Sequence, residues 1–347
     1  MTRLRDLGFD DDRQRELDDF LADERDEAQR CVGRVARVDR GEVLVLTADE
    51  PVRALSDSQR AQDERAPVTG DWVVLREDDE LGTVVDHVLS RRSAIVRRDP
   101  AEHAVDQVLV SNIDRVGVVH GLDQATNEAR IERFLVLAID SGAEPLIILT
   151  KEDLAGRRLP GEHDDMAWLD GLAPVIRTSA IDAQGIAELE QQLAPGETLV
   201  LIGPSGVGKS SLVNALAGEE LVATGDVREV DRRGRHTTTV RELIELPNGA
   251  MVIDTPGIRA IGLWAADIAL DEVFADIAEL ATRCRFRDCT HRTEPGCAVR
   301  AAIEDGTIDP MRLSRYQLLW QELAEQAIEI ERRNRQPRNA RRNRRRR

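Results

Sequence analysis

Eight residues, Gly203-Pro204-Ser205-Gly206-Val207-Gly208-Lys209-Ser210, complete a G-x-x-x-x-G-K-S phosphate loop. The glycines let successive backbone N–H groups turn toward an anion at the start of a helix. An ammonium at Lys209 can sit among β- and γ-phosphate oxygens, and a hydroxyl at Ser210 can meet Mg²⁺. An apolar strand at 198–202 precedes the loop, and Ser211 opens a run of helical propensity. Lys209 is one of only two lysines in a chain that otherwise uses arginine. The other is Lys151. A compact ammonium fits where a planar guanidinium does not.

Lys151 lies in Leu149-Thr150-Lys151-Glu152-Asp153-Leu154, after a short apolar strand. Asp153 there can accept from the N1–H and the exocyclic amine of guanine, a pattern adenine cannot offer. The Lys151 stem can lie along the base. Thr178-Ser179-Ala180 suits a loop whose backbone N–H meets the guanine O6. Beyond the phosphate loop, Asp254-Thr255-Pro256-Gly257 follows another apolar strand. Asp254 is placed to hold Mg²⁺, and the Gly257 N–H to meet a γ-phosphate. Between these motifs, Gly234-Arg235-His236-Thr237-Thr238-Thr239 suits a switch loop ordered by that phosphate and its metal. Thr238 is the choice for the metal shell, although spacing alone does not separate it from Thr237 or Thr239.

A second cluster has different chemistry. Cys284, Cys289, His291 and Cys297 bring three thiolates and an imidazole within fourteen residues. That set closes a tetrahedral zinc site and leaves no position for water, so the ion is structural, one per chain. Cys31, the fourth cysteine, stands apart and reads as packing.

The elements that must position these groups follow from pattern. Short alternating strands between 31 and 98 imply a small β-barrel, and an OB-fold fits the size. Trp72, its only large aromatic, reads as core rather than as a base-stacking platform. From about 107 to 296, strands at 108–110, 115–119, 145–149, 198–202 and 250–253 alternate with helical segments, which implies a parallel sheet. Ile131, Phe134, Leu135 and Ala138 make one helical face. After 297 the chain reads as helical, with Asp309-Pro310 as cap and first residue, and a core stripe of Leu313, Tyr316, Trp320, Leu323 and Ala327. The chain of 347 residues thus reads as multidomain: an acidic N-terminal extension at 1–30, the barrel at 31–98, the α/β nucleotide domain at 99–265, a helical zinc-binding module at 266–331, and an arginine-rich tail at 332–347.

Net charge is -17, yet the last sixteen residues hold ten arginines and no acid. Such a tail binds polyphosphates, nucleic acid included. The N-terminal extension reads as a solvated acidic stretch. No apolar run spans a membrane and no signal-peptide core is present, so a cytoplasmic protein is expected. Four cysteines are too few for a disulfide scaffold.

The guanine loops precede the phosphate loop, the reverse of ordinary GTPases. Cutting and rejoining the chain elsewhere gives the same sheet, so a circularly permuted GTPase domain is expected. Over roughly 32–325 the sequence resembles the RsgA (YjeQ) family of GTPases dependent on the small ribosomal subunit. The resemblance rests on Pro67-Val68-Thr69-Gly70-Asp71-Trp72-Val73, Arg130-Ile131-Glu132-Arg133-Phe134-Leu135, the nucleotide motifs above and the cysteine cluster. It implies GTP and GDP as ligands, Mg²⁺ with GTP, a small ribosomal subunit and its rRNA as partners, no membrane, a monomer, and turnover late in subunit assembly. Thr150 stands where most GTPases have asparagine, a residue that braces the phosphate loop; a hydroxyl can do part of this. Ile258 follows the Asp254 motif where many GTPases carry a water-orienting glutamine. The resemblance points to His236 for that role, and contact of His236 with RNA or solvent is an equal reading. Two other functions fit parts of the chain. One is a nucleotide kinase of guanylate-kinase type, which leaves Asp254-Thr255-Pro256-Gly257 without a role. The other is an RNA-binding protein tuned by nucleotide.

Overall fold

The computed structural model describes residues 2–23, 29–56, 66–97, 107–155, 166–169, 171–222, 241–254 and 266–335. They divide into two compact units, residues 1–127 with 141–261, and residues 128–140 with 262–347.

In the first unit, β1 (Arg30–Val38), β2 (Glu42–Leu46), β3 (Val52–Leu55), β4 (Trp72–Asp78) and β5 (Gly82–Val88) close a five-stranded barrel. The order is 1-2-3-5-4 and back to 1, with β3 and β5 parallel and the other pairs antiparallel. This is the OB-type barrel expected from the sequence. Alternation along the strands puts Val35, Val43, Val45, Ala54, Val73 and Leu75 inside. Strand β3 has four residues and buries only Ala54, so its sequence signal is faint. Cys31 is exposed, contrary to its reading as packing, because it falls on the outward side of β1 where that strand begins.

The nucleotide sheet has the spatial order β10 (Val175–Arg177), β9 (Glu144–Thr150), β8 (Arg115–Gly121), β11 (Thr198–Ile202), β13 (Met251–Asp254) and β12 (Glu242–Glu245). All are parallel except the last pair. Strands late in the chain thus lie between and beside early ones, as a permuted connection requires. Continuous apolar strands are buried on both faces, with Leu146, Ile148, Leu199 and Leu201 on one and Ile147, Leu149, Val200 and Ile202 on the other. Helices α5 (Ile186–Gln191) and α6 (Lys209–Ala217) pack into that core through Leu189, Leu212 and Leu216. The segment read as a strand at 108–110 is β7 (Gln107–Ser111), but it leaves the main sheet. It pairs with β6 (Ala94–Arg97) as a separate ribbon.

Barrel and nucleotide sheet join edge to edge, β1 to β12, at Arg37 and Glu242. They fall within one compact unit. The N-terminal residues belong to it too, and here the expectation of a solvated extension is corrected. Helices α1 (Thr2–Asp6) and α2 (Asp11–Asp23) flank a turn that buries Leu4, Leu7 and Phe9, and α2 buries Arg13 and Leu17. Phe9 meets the Trp72 ring edge-on at 4.9 Å. The acidic residues made this stretch look soluble. Four apolar side chains, one in each helix and two in the turn between them, decide otherwise.

The second unit gathers α3 (Glu128–Asp140), α7 (Asp267–Val273), α8 (Ala275–Ala281), α9 (Ala298–Glu304) and α10 (Pro310–Arg335). Helix α3 lies between β8 and β9 in the chain, yet packs on α7. Glu132 is fully buried there and accepts from Arg312 at 3.0 Å and Arg315 at 2.7 Å. Arg312 also forks onto Asp276 and lies over the Phe274 ring. Asp309 caps α10 as expected, its carboxylate accepting from the Met311 N–H at 3.0 Å. The buried stripe of α10 runs through Leu313, Leu319 and Leu323, with Tyr316 edge-on to Phe274. Trp320 and Ala327, on the flank of that stripe about 60° and about 40° round from Leu323, are exposed and do not belong to it. The helix extends to Arg335, so the arginine-rich segment begins as its last turn. No described helix is long and apolar enough to cross a membrane.

Candidate nucleotide site and cysteine cluster

The parallel register brings the motifs to one end of the sheet. Gly121 pairs with Thr150, Leu149 with Arg177, Ile202 with Val118, and Ile253 with Val200. The C-terminal ends of β8, β9, β10, β11 and β13 therefore lie at the same end of the sheet, where open α/β sheets bind ligands.

In the phosphate loop, Gly203, Gly206 and Gly208 take φ of 152°, 78° and 101°, which only glycine adopts without strain. At Gly203 a Cβ would come within 2.5 Å of the Val119 carbonyl oxygen, so the loop hugs the neighbouring strand. Val207 is buried while Ser205 and Gly206 are exposed. This anchors one side of the loop and presents the other. Lys209 opens α6, and its Nζ donates to the carbonyls of Gly203 at 2.9 Å and Pro204 at 2.6 Å. The ammonium is thereby held over the mouth of the loop. Ser210 and Ser211 follow in the first turn, and Pro204 and Gly208 are half-buried.

The base loop reaches the phosphate loop directly. The buried Thr150 hydroxyl donates to the Val207 carbonyl. The brace that asparagine would supply is thus made by threonine. Lys151 turns in the left-handed region, φ 60°, and its Nζ donates to the Gly206 carbonyl and to Asp123, both at 2.7 Å. Across the base side, the Ser179 hydroxyl donates to the Asp153 carboxylate at 2.9 Å. Ser179 is fully buried and fixes that carboxylate's orientation, while Ala180 stays exposed. Asp254, half-buried, ends β13 beside the strand that feeds the phosphate loop.

Thr150, Lys151, Asp153, Ser179 and the phosphate loop are therefore brought together. His236, Thr238 and Gly257 lie outside the described residues. Asp123 escaped the sequence reading. Its signal is positional: it lies just past the end of β8, after Leu122, and a Cβ at Gly121 would press on its carboxylate at 2.6 Å.

In the other unit, the Cys284, Cys289, His291 and Cys297 ligand atoms all lie within 4.8 Å of one another. The Cys284–Cys297 Sγ separation is 3.8 Å, and His291 Nδ1 stands 3.7 Å and 3.4 Å from those sulfurs. A tetrahedron with bonds of about 2.3 Å to sulfur and 2.0 Å to nitrogen has edges of about 3.8 and 3.5 Å. The group could therefore hold one metal ion. Burial keeps the His291 imidazole below its ordinary pKa, in the neutral form that ligation needs. Three features preorganise the loop. Cys297 caps α9, Glu294 gathers the N–H groups of Thr290, Arg292 and Thr293, and Gln317 of α10 donates to the Thr290 carbonyl.

A parallel sheet with a phosphate loop, a guanine-type base loop ahead of it in the chain, and an attached OB barrel define a circularly permuted P-loop GTPase. The RsgA GTPase family profile matches residues 88–264. A "Small ribosomal subunit biogenesis GTPase RsgA" of Streptomyces coelicolor is 44% identical over 293 residues, spanning 84% of this chain and 80% of that protein. One of the same name from Methanosarcina acetivorans is 43% identical over 77% of this chain and 72% of its own. The crystal structure of YjeQ from Thermotoga maritima superposes with a TM-score of 0.60 at 27% identity, covering 85% of this chain and 99% of that one. YloQ, described as a circularly permuted GTPase, gives 0.60 at 25% identity over 86% and 96%. The chain belongs to the RsgA GTPase family and is a GTP-hydrolysing enzyme.

Proposed function

We propose that this protein binds the immature small ribosomal subunit in its GTP state, hydrolyses GTP in response to the subunit, and leaves with GDP bound. The observation that carries the nucleotide half is the bonding between loops. Thr150 and Lys151 of the base loop grip the phosphate loop, and Ser179 orients Asp153 beside it. The ribosomal half rests on the relatives' names and on 44% identity.

In this reading Asp153 selects guanine, the Ala180 N–H meets its O6, and the loop N–H groups with Lys209 hold the phosphates. Ser210, Thr238 and Asp254 offer hard oxygen ligands that suit Mg²⁺, which neutralises phosphate charge when bound. Gly257 contacts the γ-phosphate. His236 orients the attacking water in the ordered switch loop, a role that Ile258 cannot fill. The Cys284, Cys289, His291 and Cys297 set holds a structural zinc. The barrel and the arginine tail contact rRNA, and the protein works as a cytoplasmic monomer.

The test is GTP turnover with small subunits, large subunits and buffer alone. Small subunits should accelerate it, and His236→Ala should lose most of the stimulated rate while still binding GTP. Equal stimulation by large subunits would refute the ribosomal half. Zinc is checked separately. The purified chain should carry about one ion, and Cys289→Ser should lower that content and expose residues 266–335 to protease.

A further inference from the structure

Strand β8 runs between β9 and β11 in the nucleotide sheet, so its end lies between the base loop and the phosphate loop. The strand stops at Gly121, which pairs with Thr150. There the chain turns. The Leu122 N–H donates to the Thr150 carbonyl at 2.8 Å, and the Gln124 N–H closes onto the Gly121 carbonyl at 3.2 Å. Asp123 stands at the tip of this turn. The guanine and phosphate chemistry described above gives it no role.

Lys151 crosses this point. It springs from the loop after β9, yet its Nζ reaches the Gly206 carbonyl in the loop after β11, at 2.7 Å. On the way its stem passes Gly121, where a Cβ would come within 3.7 Å of Lys151 Cδ and of the Val207 Cα. The same Cβ would press on Asp123 Oδ1. A bare glycine thus leaves room for the lysine stem and the carboxylate together. The other oxygen, Asp123 Oδ2, accepts from the Lys151 Nζ at 2.7 Å. Three adjacent strand ends therefore meet at one ammonium.

The Lys151 backbone is held without help from its side chain. At φ 60° its carbonyl accepts from the Leu154 N–H at 2.9 Å, and the next N–H, of Glu152, donates to the Thr178 carbonyl at 3.1 Å. What is left to order is the stem, and lysine carries among the largest side-chain entropies. One neutral carbonyl is a weak tether. A carboxylate adds a charge-assisted bond of about twice the strength. The ammonium in turn neutralises a carboxylate that would otherwise repel phosphates bound nearby. Both side chains stay partly open, 27% for Lys151 and 26% for Asp123, so the pair adds little to the stability of the fold. Its value is preorganisation, because a stem already ordered loses less freedom when a base lies against it.

We infer that Asp123 is a positioning residue for the nucleotide: it clamps the Lys151 ammonium against Gly206, so that the lysine stem forms a preset shelf for the purine ring. The inference rests on the reading of Lys151 as the lysine that lies along the base. The experiment displaces a fluorescent GDP from the full chain, in Mg²⁺, with GDP or inosine diphosphate. It compares wild type, Asp123→Ala, Lys151→Met and the double variant. Asp123→Ala should weaken GDP about three- to tenfold, the size of ordering one long side chain. Inosine diphosphate should weaken by the same factor, since a shelf serves either purine, whereas Asp153 reads the exocyclic amine that inosine lacks. Lys151→Met should lose more, and on that background Asp123→Ala should change affinity by less than about twofold. The melting temperature of nucleotide-free Asp123→Ala should match wild type, and a clear fall would mark a structural residue instead. Unchanged or tighter GDP binding by Asp123→Ala, beside a weakened Lys151→Met, overturns the positioning role and leaves the base-loop reading standing. Unchanged binding by Lys151→Met overturns both. An equal loss from Asp123→Ala with and without Lys151 places its effect elsewhere and ends the proposal.

Discussion

The phosphate loop and the arginine cluster beneath the N-terminal helices place positive charge in opposite ways. The loop presents backbone N–H groups and one lysine at an open crevice, on glycines whose left-handed turns suit no other residue. The cluster buries side chains instead: the guanidiniums of Arg13 and Arg34, removed from water, lie over the Trp72 ring. The first is written in eight consecutive residues. The second is assembled from Arg13, Arg34, Trp72, Arg92 and Asn112, with Arg34 reaching Thr198, 164 residues away. Contiguous sites survive as motifs in a sequence, whereas dispersed ones exist only once the chain has folded.

Substitutions in each region should therefore fail differently. Trp72→Ala should have the largest effect, costing about 3–5 kcal/mol of stability because it empties the floor on which Phe9, Arg13 and Arg34 rest. Denaturant melts of the GDP-bound chain will measure this. Unchanged stability would mean that the junction carries no structural weight. Lys209→Ala should leave the melting curve nearly unmoved and lower kcat/KM for GTP by about 100- to 1,000-fold, as loss of one charge-stabilising donor does elsewhere. A variant that unfolds instead would erase the contrast between the two regions.

Asp153→Asn should weaken GTP binding by about 1.5–3 kcal/mol and raise tolerance for xanthosine triphosphate, because the carboxylate is a charged hydrogen-bond partner whose polarity the amide reverses. Competition of both nucleotides against a fluorescent GDP reads it. Thr150→Val is the finest probe. It removes one buried hydroxyl from the Val207 carbonyl and should cost about 0.5–1.5 kcal/mol in nucleotide affinity without altering base choice. If GDP affinity is unchanged, the brace resides in Lys151 and Gly206 instead.

Much of the first region was legible. The phosphate loop, Asp153, Ser179 and the permuted order follow from local spacing after apolar strands, as does the cysteine set. What stayed hidden was non-local. Arg34 sits in an alternating strand and reads as a solvent-facing charge, yet it is buried because Leu7, Gly70, Asn112 and Thr198 converge on it. The first twenty-three residues carry so many acids that Leu4, Leu7, Phe9 and Leu17 do not register as a core. Trp320 was placed in the buried stripe of α10 by spacing alone. The buried side runs through Leu319 and Leu323, and Trp320 lies on its flank about 60° from Leu323, so spacing marks a face but not how much of it is covered.

The splice between β1 and β12 has one more consequence. An open sheet has two edges, and each is a template onto which another chain can add. Here the antiparallel edge strand of the nucleotide sheet is met by β1 at Glu242, its first residue, and the barrel beyond closes upon itself. Among the described residues the other margin of the eleven-stranded sheet, β10, is only three residues long. Among the described residues, the main sheet thus offers another chain only short stretches of open edge.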